Sequence, residues 1–142
     1  MRNVLVLCTG NSARSILAEV LFNELGQGKY KAFSAGSHPV GQVNPGAIEK
    51  LTAAGHDVSN LRSKSWDEFA GQDAPVLDIV ITVCDNAAGE ACPVWNGAPI
   101  TLHWGLPDPA AFEDEDERRR AFDSVYDELS SRIEDLVNSA YA

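Results

Sequence analysis

The sequence predicts an α/β protein with a four-stranded parallel sheet and helices on both of its faces. Four short apolar segments alternate along the chain with segments whose apolar residues recur at helical spacing. Strands that alternate with helices form parallel sheets through right-handed crossovers. The sequence shows no repeat, no low-complexity tract and no linker, which indicates a single domain over residues 1–142.

The first half of the chain alternates two strands with two helices. Residues 4–7 are a run of valine and leucine, typical of a buried parallel strand. Apolar residues then recur at helical spacing over residues 16–25, and Gly26 ends that helix. Residues 31–36 predict a short second strand. Residues 44–46 open the next helix, because proline is tolerated in a first helical turn.

The second half adds two strands and a long helix. A loop at residues 58–67 contains one brief helical turn. Residues 76–83 are the most apolar stretch of the chain and predict the third strand, and residues 100–104 predict a short fourth strand. The last helix carries its apolar residues on one face over residues 122–137. Acidic residues 113–117 lie at its N-terminal end, where the helix dipole stabilises negative charge.

The composition argues against several function classes. The net charge of −10 disfavours binding to nucleic acid or to an anionic membrane. No apolar run approaches the length of a membrane span, and the N-terminus has no cleavable apolar region. We therefore expect a cytoplasmic protein. Three cysteines in a reducing compartment do not make a disulfide framework, so they are reactive thiols or small core residues.

The loop at residues 8–15 carries the strongest functional signal. Its sequence, Cys-Thr-Gly-Asn-Ser-Ala-Arg-Ser, connects a strand end to a helix start, where successive backbone N–H groups form an anion nest. The positive field of such a nest favours the thiolate of Cys8, and Arg14 adds a planar fork that clamps two oxygens of a tetrahedral oxyanion. Asn11 tolerates the left-handed backbone conformation that shapes such a loop. The expected substrate-binding residues are Thr9, Gly10, Asn11, Ser12, Ala13, Arg14 and Ser15.

The same residues also fit a purely structural interpretation. Cys8 would then be a small buried residue at a strand end, and Arg14 would lie on an exposed helix face. The spacing of the two residues does not decide between these interpretations. The strand before the motif and the helix after it favour the thiolate oxyanion site.

Two further loops are expected at the same edge of the sheet. The loop after the third strand carries Cys84 and Cys92, and the loop after the fourth strand carries Asp108. Two prolines flank Asp108 and hold it stiffly, as suits a carboxylic acid that protonates a leaving oxygen; a turn-forming aspartate is the alternative. Cys84 and Cys92 also fit a small buried residue and a loop residue. The cysteine and histidine spacing does not suggest zinc, and we expect no metal and no cofactor.

Residues 8–15 resemble the loop of the low-molecular-weight tyrosine phosphatases and of the arsenate reductases built on the same fold. The segments 82–87, 92–93 and 103–110 resemble the three-cysteine arsenate reductases of this phosphatase-like type. Alanines follow Asp108 and its proline, where the phosphatases have aromatic residues that flank phosphotyrosine. The resemblance implies the flavodoxin-like strand order 2-1-3-4 and arsenate as the substrate.

The resemblance also implies a cysteine relay for arsenical resistance and detoxification. Cys8 would attack arsenic while Asp108 assists the loss of water or hydroxide. Cys84 would then attack the adduct at sulfur and release arsenite, and Cys92 would move the redox-active disulfide to Cys84–Cys92. Thioredoxin, glutaredoxin or mycoredoxin would reduce that disulfide, and we expect the enzyme to be a monomer. A phosphatase with a redox-regulated cysteine and a non-catalytic oxyanion-binding module are the alternatives.

Two further expectations concern the surroundings of the loop. Related reductases have a potassium site formed by counterparts of Asn11, Glu19 and Ser34 and an acidic residue, and the fourth position is Lys64 here. A lysine ammonium can replace the metal, so we do not expect a potassium requirement. Over residues 84–92, eight helical steps would span roughly 12 Å, and a disulfide needs Cα atoms about 4.4–6.8 Å apart. We therefore expect that segment to unwind on oxidation.

Overall fold

The computed structural model describes residues 1–83 and 95–139. The strands of its sheet are β1 (Arg2–Leu7), β2 (Tyr30–Ala35), β3 (Ile79–Thr82) and β4 (Ile100–His103). Their order across the sheet is β2-β1-β3-β4, and every neighbouring pair is parallel. The predicted α/β class, the four-stranded parallel sheet and its strand order are confirmed.

The described helices are α1 (Arg14–Leu25), α2 (Pro45–Ala53) and α3 (Glu115–Val137), with short 3-10 turns at Trp66–Phe69 and Pro109–Ala111. Side chains cap two of these helices. Asn44 accepts the N–H of Gly46 at the start of α2, and Asp114 accepts the N–H of Glu117 at the start of α3. The start of α1 has Ala13 at the cap position and no side-chain cap. None of the described helices is long and apolar enough to cross a membrane.

The third strand is shorter than the sequence predicts, because it begins at Ile79 and not at residue 76. The side chain of Asp78 accepts the backbone N–H of Asn3 at 2.8 Å, and the side-chain amide of Asn3 donates to the Val76 carbonyl at 2.8 Å. One residue earlier, the backbone N–H of Leu77 donates to the Asn96 carbonyl at 2.9 Å instead of to a strand of the sheet, and Val76 is exposed. Apolar composition therefore extended the predicted strand beyond the paired residues.

The core lies on both faces of β1. Val4 and Val6 pack in a cluster with the apolar residues of α1, α2 and α3. Leu5 and Leu7 point to the opposite face, as alternate residues of a strand do, and there they pack with Phe69. These last four residues of β1 are essentially buried, which makes the strand a firm support for the loop that follows it.

Candidate active site

The loop between β1 and α1 lies against the end of β2. Cys8 follows β1 directly and is only 6% exposed, and its N–H donates to the Ala35 carbonyl at 3.2 Å. The next residue, Gly36, approaches the loop so closely that a Cβ atom there would lie 2.4 Å from the Thr9 carbonyl oxygen. Only glycine permits this approach. The sequence analysis placed Gly36 at the end of the second strand and missed this role.

The carbonyl oxygens of the loop are bonded to the surrounding segments. Three backbone bonds of 2.9–3.1 Å join the carbonyls of Thr9, Gly10 and Ser12 to the N–H groups of His38, Val40 and Asn44. The hydroxyl of Ser63 also donates to the Gly10 carbonyl, at 3.0 Å. These contacts turn the carbonyls away from the interior of the loop.

The N–H groups of the loop remain available for a ligand. Within residues 1–83 and 95–139, no hydrogen bond uses the backbone N–H of Gly10, Asn11, Ser12 or Ala13. The first N–H groups of α1 have no acceptor within the helix either, as in any helix. A row of such donors at a helix start attracts an anion, and Cys8 lies at the beginning of that row.

Asn11 shapes the loop through an unusual backbone conformation. Its φ is 46°, and no other described non-glycine residue has a positive φ. The side chain is fully buried, where its Nδ2 donates to Ser15 Oγ at 2.8 Å and its Oδ1 accepts the backbone N–H of Lys64 at 2.9 Å. Asparagine tolerates this left-handed region better than most residues, and the two hydrogen bonds hold it there.

A largely buried polar group lies beside Asn11. The hydroxyl of Ser34 donates to Glu19 Oε1 at 2.7 Å, and Lys64 Nζ lies 3.4 Å from the same oxygen. The Lys64 and Glu19 side chains are only 9% and 16% exposed. Lys64 Nζ also contacts the carbonyl of Arg62 at 3.3 Å. Among the described residues, no group of three or more His, Cys, Asp and Glu side chains could hold a metal ion.

Arg14 connects the loop to the segment that follows β4. Its NH1 donates to the Leu106 carbonyl at 2.9 Å. Asp108 lies on that segment, is exposed, and accepts the N–H of Ala110 at 2.9 Å as the cap of the 3-10 turn. Within the described parts of the chain, no hydrogen bond or ion pair joins Asp108 to Cys8. The structure therefore brings Arg14 to the Asp108 segment but does not place the Asp108 carboxylate on the thiol.

The other two cysteines of the sequence analysis, Cys84 and Cys92, lie outside the described residues. The same holds for the segment predicted to unwind on oxidation. Their roles stay predictions. Among the described residues, a side-chain contact joins the carboxyl ends of β3 and β4, where Thr82 Oγ1 and His103 Nδ1 lie 2.7 Å apart.

A cavity of about 460 Å³ lies between the first turns of α2 and α3, apart from the loop. None of residues 8–15 lines it. Two of its cations already face carboxylates: Lys50 Nζ lies 2.8 Å from Asp123, and Arg119 bonds Glu49 and Glu115. The loop, with its unpaired donors and its buried thiol, is therefore the better candidate for an active site.

The fold and this loop define a class of protein: a parallel α/β domain that presents a cysteine beside a row of backbone N–H donors between its first strand and first helix. The family model for the low molecular weight phosphotyrosine protein phosphatase matches residues 3–141. The chain belongs to this family.

Several similar proteins are arsenate reductases. The arsenate reductase of Halalkalibacterium halodurans is 37% identical over 134 residues, which cover 94% of this chain and 93% of that protein. The Bacillus subtilis enzyme is 34% identical with the same coverage. A solved arsenate reductase in its oxidized state is 29% identical, with a TM-score of 0.77 over 96% of this chain and 97% of that one. The thioredoxin-dependent arsenate reductase of Corynebacterium glutamicum is 27% identical, with a TM-score of 0.69 over 96% and 60%. The resemblance inferred from the sequence is confirmed.

Proposed function

We propose that this protein reduces arsenate to arsenite. The observation that carries the proposal is the loop itself, in which the N–H groups of residues 10–13 have no acceptor within the described structure and follow directly on Cys8. Arsenate is a tetrahedral oxyanion that suits these donors and the fork of Arg14. The arsenate reductases that match this chain over more than nine-tenths of its length support the same substrate.

The proposed first step is attack of the Cys8 thiolate on arsenic. A sulfur–arsenic bond forms, and one oxygen of arsenate leaves as water after receiving a proton. We assign that proton to Asp108. Its Oδ1 caps a turn, and the adjacent prolines limit its backbone, so a small movement of the segment would have to bring the carboxyl group to the leaving oxygen.

The electrons for the reduction come from thiols. The Cys84 thiolate attacks the Cys8 sulfur, the electron pair of the sulfur–arsenic bond stays on arsenic, and arsenite leaves. Cys92 then attacks Cys84, which frees Cys8 and leaves a Cys84–Cys92 disulfide. Two thiols lose two electrons and arsenic gains two, so the step balances. The third cysteine restores the nucleophile.

An external dithiol protein closes the cycle. We assign this role to thioredoxin, with glutaredoxin and mycoredoxin as the other candidates. The thioredoxin-dependent relative from Corynebacterium glutamicum supports that order of preference. Such donors keep thiols reduced in the cytoplasm, and we place this enzyme there, acting as a monomer in arsenic detoxification.

A turnover assay with each donor tests the function. The pure protein is mixed with arsenate and with each donor and its own reducing system, and arsenite is measured. We expect continuous turnover with one donor. Cys84→Ser should accumulate the Cys8 adduct without releasing arsenite, whereas Cys92→Ser should stop after one turnover with a Cys8–Cys84 disulfide, as seen by peptide mapping. Absence of arsenite with all three donors would reject the proposal.

Phosphatase activity is the second candidate function, because the matching family model is that of a phosphotyrosine phosphatase. The same loop would bind a phosphoryl group, and Cys8 would form a phosphocysteine. Hydrolysis of p-nitrophenyl phosphate measures it. Efficient hydrolysis by the Cys84→Ser/Cys92→Ser double variant, with no arsenate turnover by the wild type, would favour the phosphatase.

A further inference from the structure

The residues beside the loop do not fit the potassium site that the family resemblance implies. The Asn11 oxygen already accepts the N–H of Lys64, and Glu19 Oε1 already accepts the Ser34 hydroxyl. The position of the acidic ligand is Lys64, whose ammonium lies 3.4 Å from Glu19. A cation bound among these groups would meet a positive charge where its negative ligand should be, and like charges at such distances repel strongly.

Burial makes this ion pair important. Glu19 and Lys64 are 16% and 9% exposed, and a charge so far removed from water is costly unless another charge or several hydrogen bonds compensate it. Glu19 receives both, from the Lys64 ammonium and from the Ser34 hydroxyl. No metal ion is needed to balance its charge.

The backbone of Lys64 ties the same pair to the loop. Its N–H donates to Asn11 Oδ1, and its carbonyl accepts the N–H of Gly36 at 2.9 Å. Its neighbour Ser63 donates to the Gly10 carbonyl. The Lys64 side chain therefore contacts Glu19, and the Lys64 backbone contacts Asn11, whose left-handed conformation shapes the loop.

We propose that Lys64 is the internal cation of this loop: its ammonium neutralises Glu19 in place of a metal ion, and the protein forms its oxyanion nest without potassium. Lys64 is then a positioning residue that acts through Asn11. The inference concerns the loop of the proposed function, but its main measurement is thermal unfolding, which requires no turnover and no substrate.

The first experiment compares unfolding midpoints in potassium chloride and in tetramethylammonium chloride at equal ionic strength. The wild type should unfold at the same temperature in both salts. Lys64→Met, which leaves Glu19 buried without its counter-ion, should lower the midpoint by about 5–10 °C. The exposed Lys29 serves as the matched control, and Lys29→Met should change little. A wild-type midpoint that rises by several degrees in potassium, or a Lys64→Met midpoint equal to that of Lys29→Met, would overturn the proposal.

The second experiment asks whether the ammonium takes the place of a metal ion. Lys64→Asp supplies the acidic ligand that the resemblance implies, so potassium should stabilise this variant by several degrees over tetramethylammonium. If the folded variant is not stabilised by potassium, the Lys64 ammonium does not take the place of a metal ion. If Lys64→Asp does not fold, two other variants are compared, Lys64→Met and the double variant Glu19→Gln/Lys64→Met. The double variant should be more stable than Lys64→Met, because no buried charge remains unpaired in it.

A kinetic measurement separates positioning from simple stabilisation. Lys64→Met should raise the KM for arsenate more than it lowers kcat, because a misplaced Asn11 weakens the nest while Cys8 remains. In Lys64→Asp, potassium should restore the KM. If kcat falls as much as KM rises, and potassium restores neither value, Lys64 has a structural role alone. A wild type that reduces no arsenate would reject the proposed function, and the thermal results would still test this inference.

Discussion

The loop at residues 8–15 is held differently on its two sides. On the bracing side, residues 36–44 and 62–66 bond three loop carbonyls and the Asn11 side chain. On the acid side, residues 105–111 are joined to the loop by the hydrogen bond from Arg14 to the Leu106 carbonyl. Within the described residues, this is the one hydrogen bond between that segment and the loop. The loop is therefore fixed by several bonds on the bracing side, whereas the acid side has fewer constraints.

The difference fits the order of the proposed reaction. Binding requires donors that are already in place, since reorganising them would reduce affinity. The proton is needed only after Cys8 has attacked, and Asp108 is exposed and bonded to its own turn. Substitutions on the bracing side should therefore alter stability and binding together, and substitutions on the acid side should alter the rate alone.

Cys8→Ser should have the largest effect, because it should remove the reaction without disturbing either side of the loop. We expect arsenite production to fall to the blank, because a serine hydroxyl cannot form the disulfide that supplies the electrons. The unfolding midpoint and its rise with added phosphate should persist, since the nest is made of backbone groups. Arsenite formation above the blank would show that Cys8 is not the nucleophile.

Asp108→Asn should have the next largest effect and should act on the acid side alone. Asparagine also caps the 3-10 turn at Pro109–Ala111, so the unfolding midpoint should not change. The kcat for arsenate should fall about 10²–10⁴-fold, the usual contribution of a general acid, with little change in KM. An unchanged kcat under conditions where chemistry limits the rate would remove Asp108 from the mechanism.

Gly36→Ala should test the bracing side. The added Cβ would lie 2.4 Å from the Thr9 carbonyl and 2.7 Å from the Cys8 carbonyl, so the loop has to move. We expect a loss of about 1–3 kcal/mol in the free energy of unfolding, together with a higher KM for arsenate. Gly71→Ala is the control, because no atom lies within 4 Å of a Cβ there. Equal stability of the two variants would contradict a tight contact at Gly36.

The smallest expected effect comes from the outer part of the bracing side. A side-chain hydrogen bond from Arg62 lowers the pKa of Glu68, and burial opposes this in part. A lowered pKa stabilises the fold above the ordinary glutamate value of 4.5, and the contribution disappears as the pH falls through the folded value. Because both side chains are largely exposed, Glu68→Gln should cost only about 0.5 kcal/mol at neutral pH. Denaturant unfolding at pH 7 and pH 3 should show a smaller difference at pH 3; a cost that is undiminished at pH 3 would have another origin.

Local patterns predicted much of this molecule. The strand at β1, the loop after Cys8 and the start of α2 at Asn44 follow from residues close together in the sequence, and all three appear where they were expected. The end of β3 nearest the site was also placed well. Its beginning was not, because the N–H of Leu77 donates to the Asn96 carbonyl instead of to a sheet neighbour, and no local pattern contains this contact.

The sequence by itself determined the chemistry of the loop. Consecutive residues supply its N–H donors, its thiol and its guanidinium, so a strand followed by a helix is enough to bring them together. Only the tertiary structure decided how the loop is held. Glu19 and Lys64 lie 45 positions apart, and Arg14 and Leu106 lie 92 apart. Whether such groups meet, and whether their charges are buried, depends on how the segments pack on the sheet, since the cost of a buried charge is set by its neighbours in space and not by its neighbours in the chain.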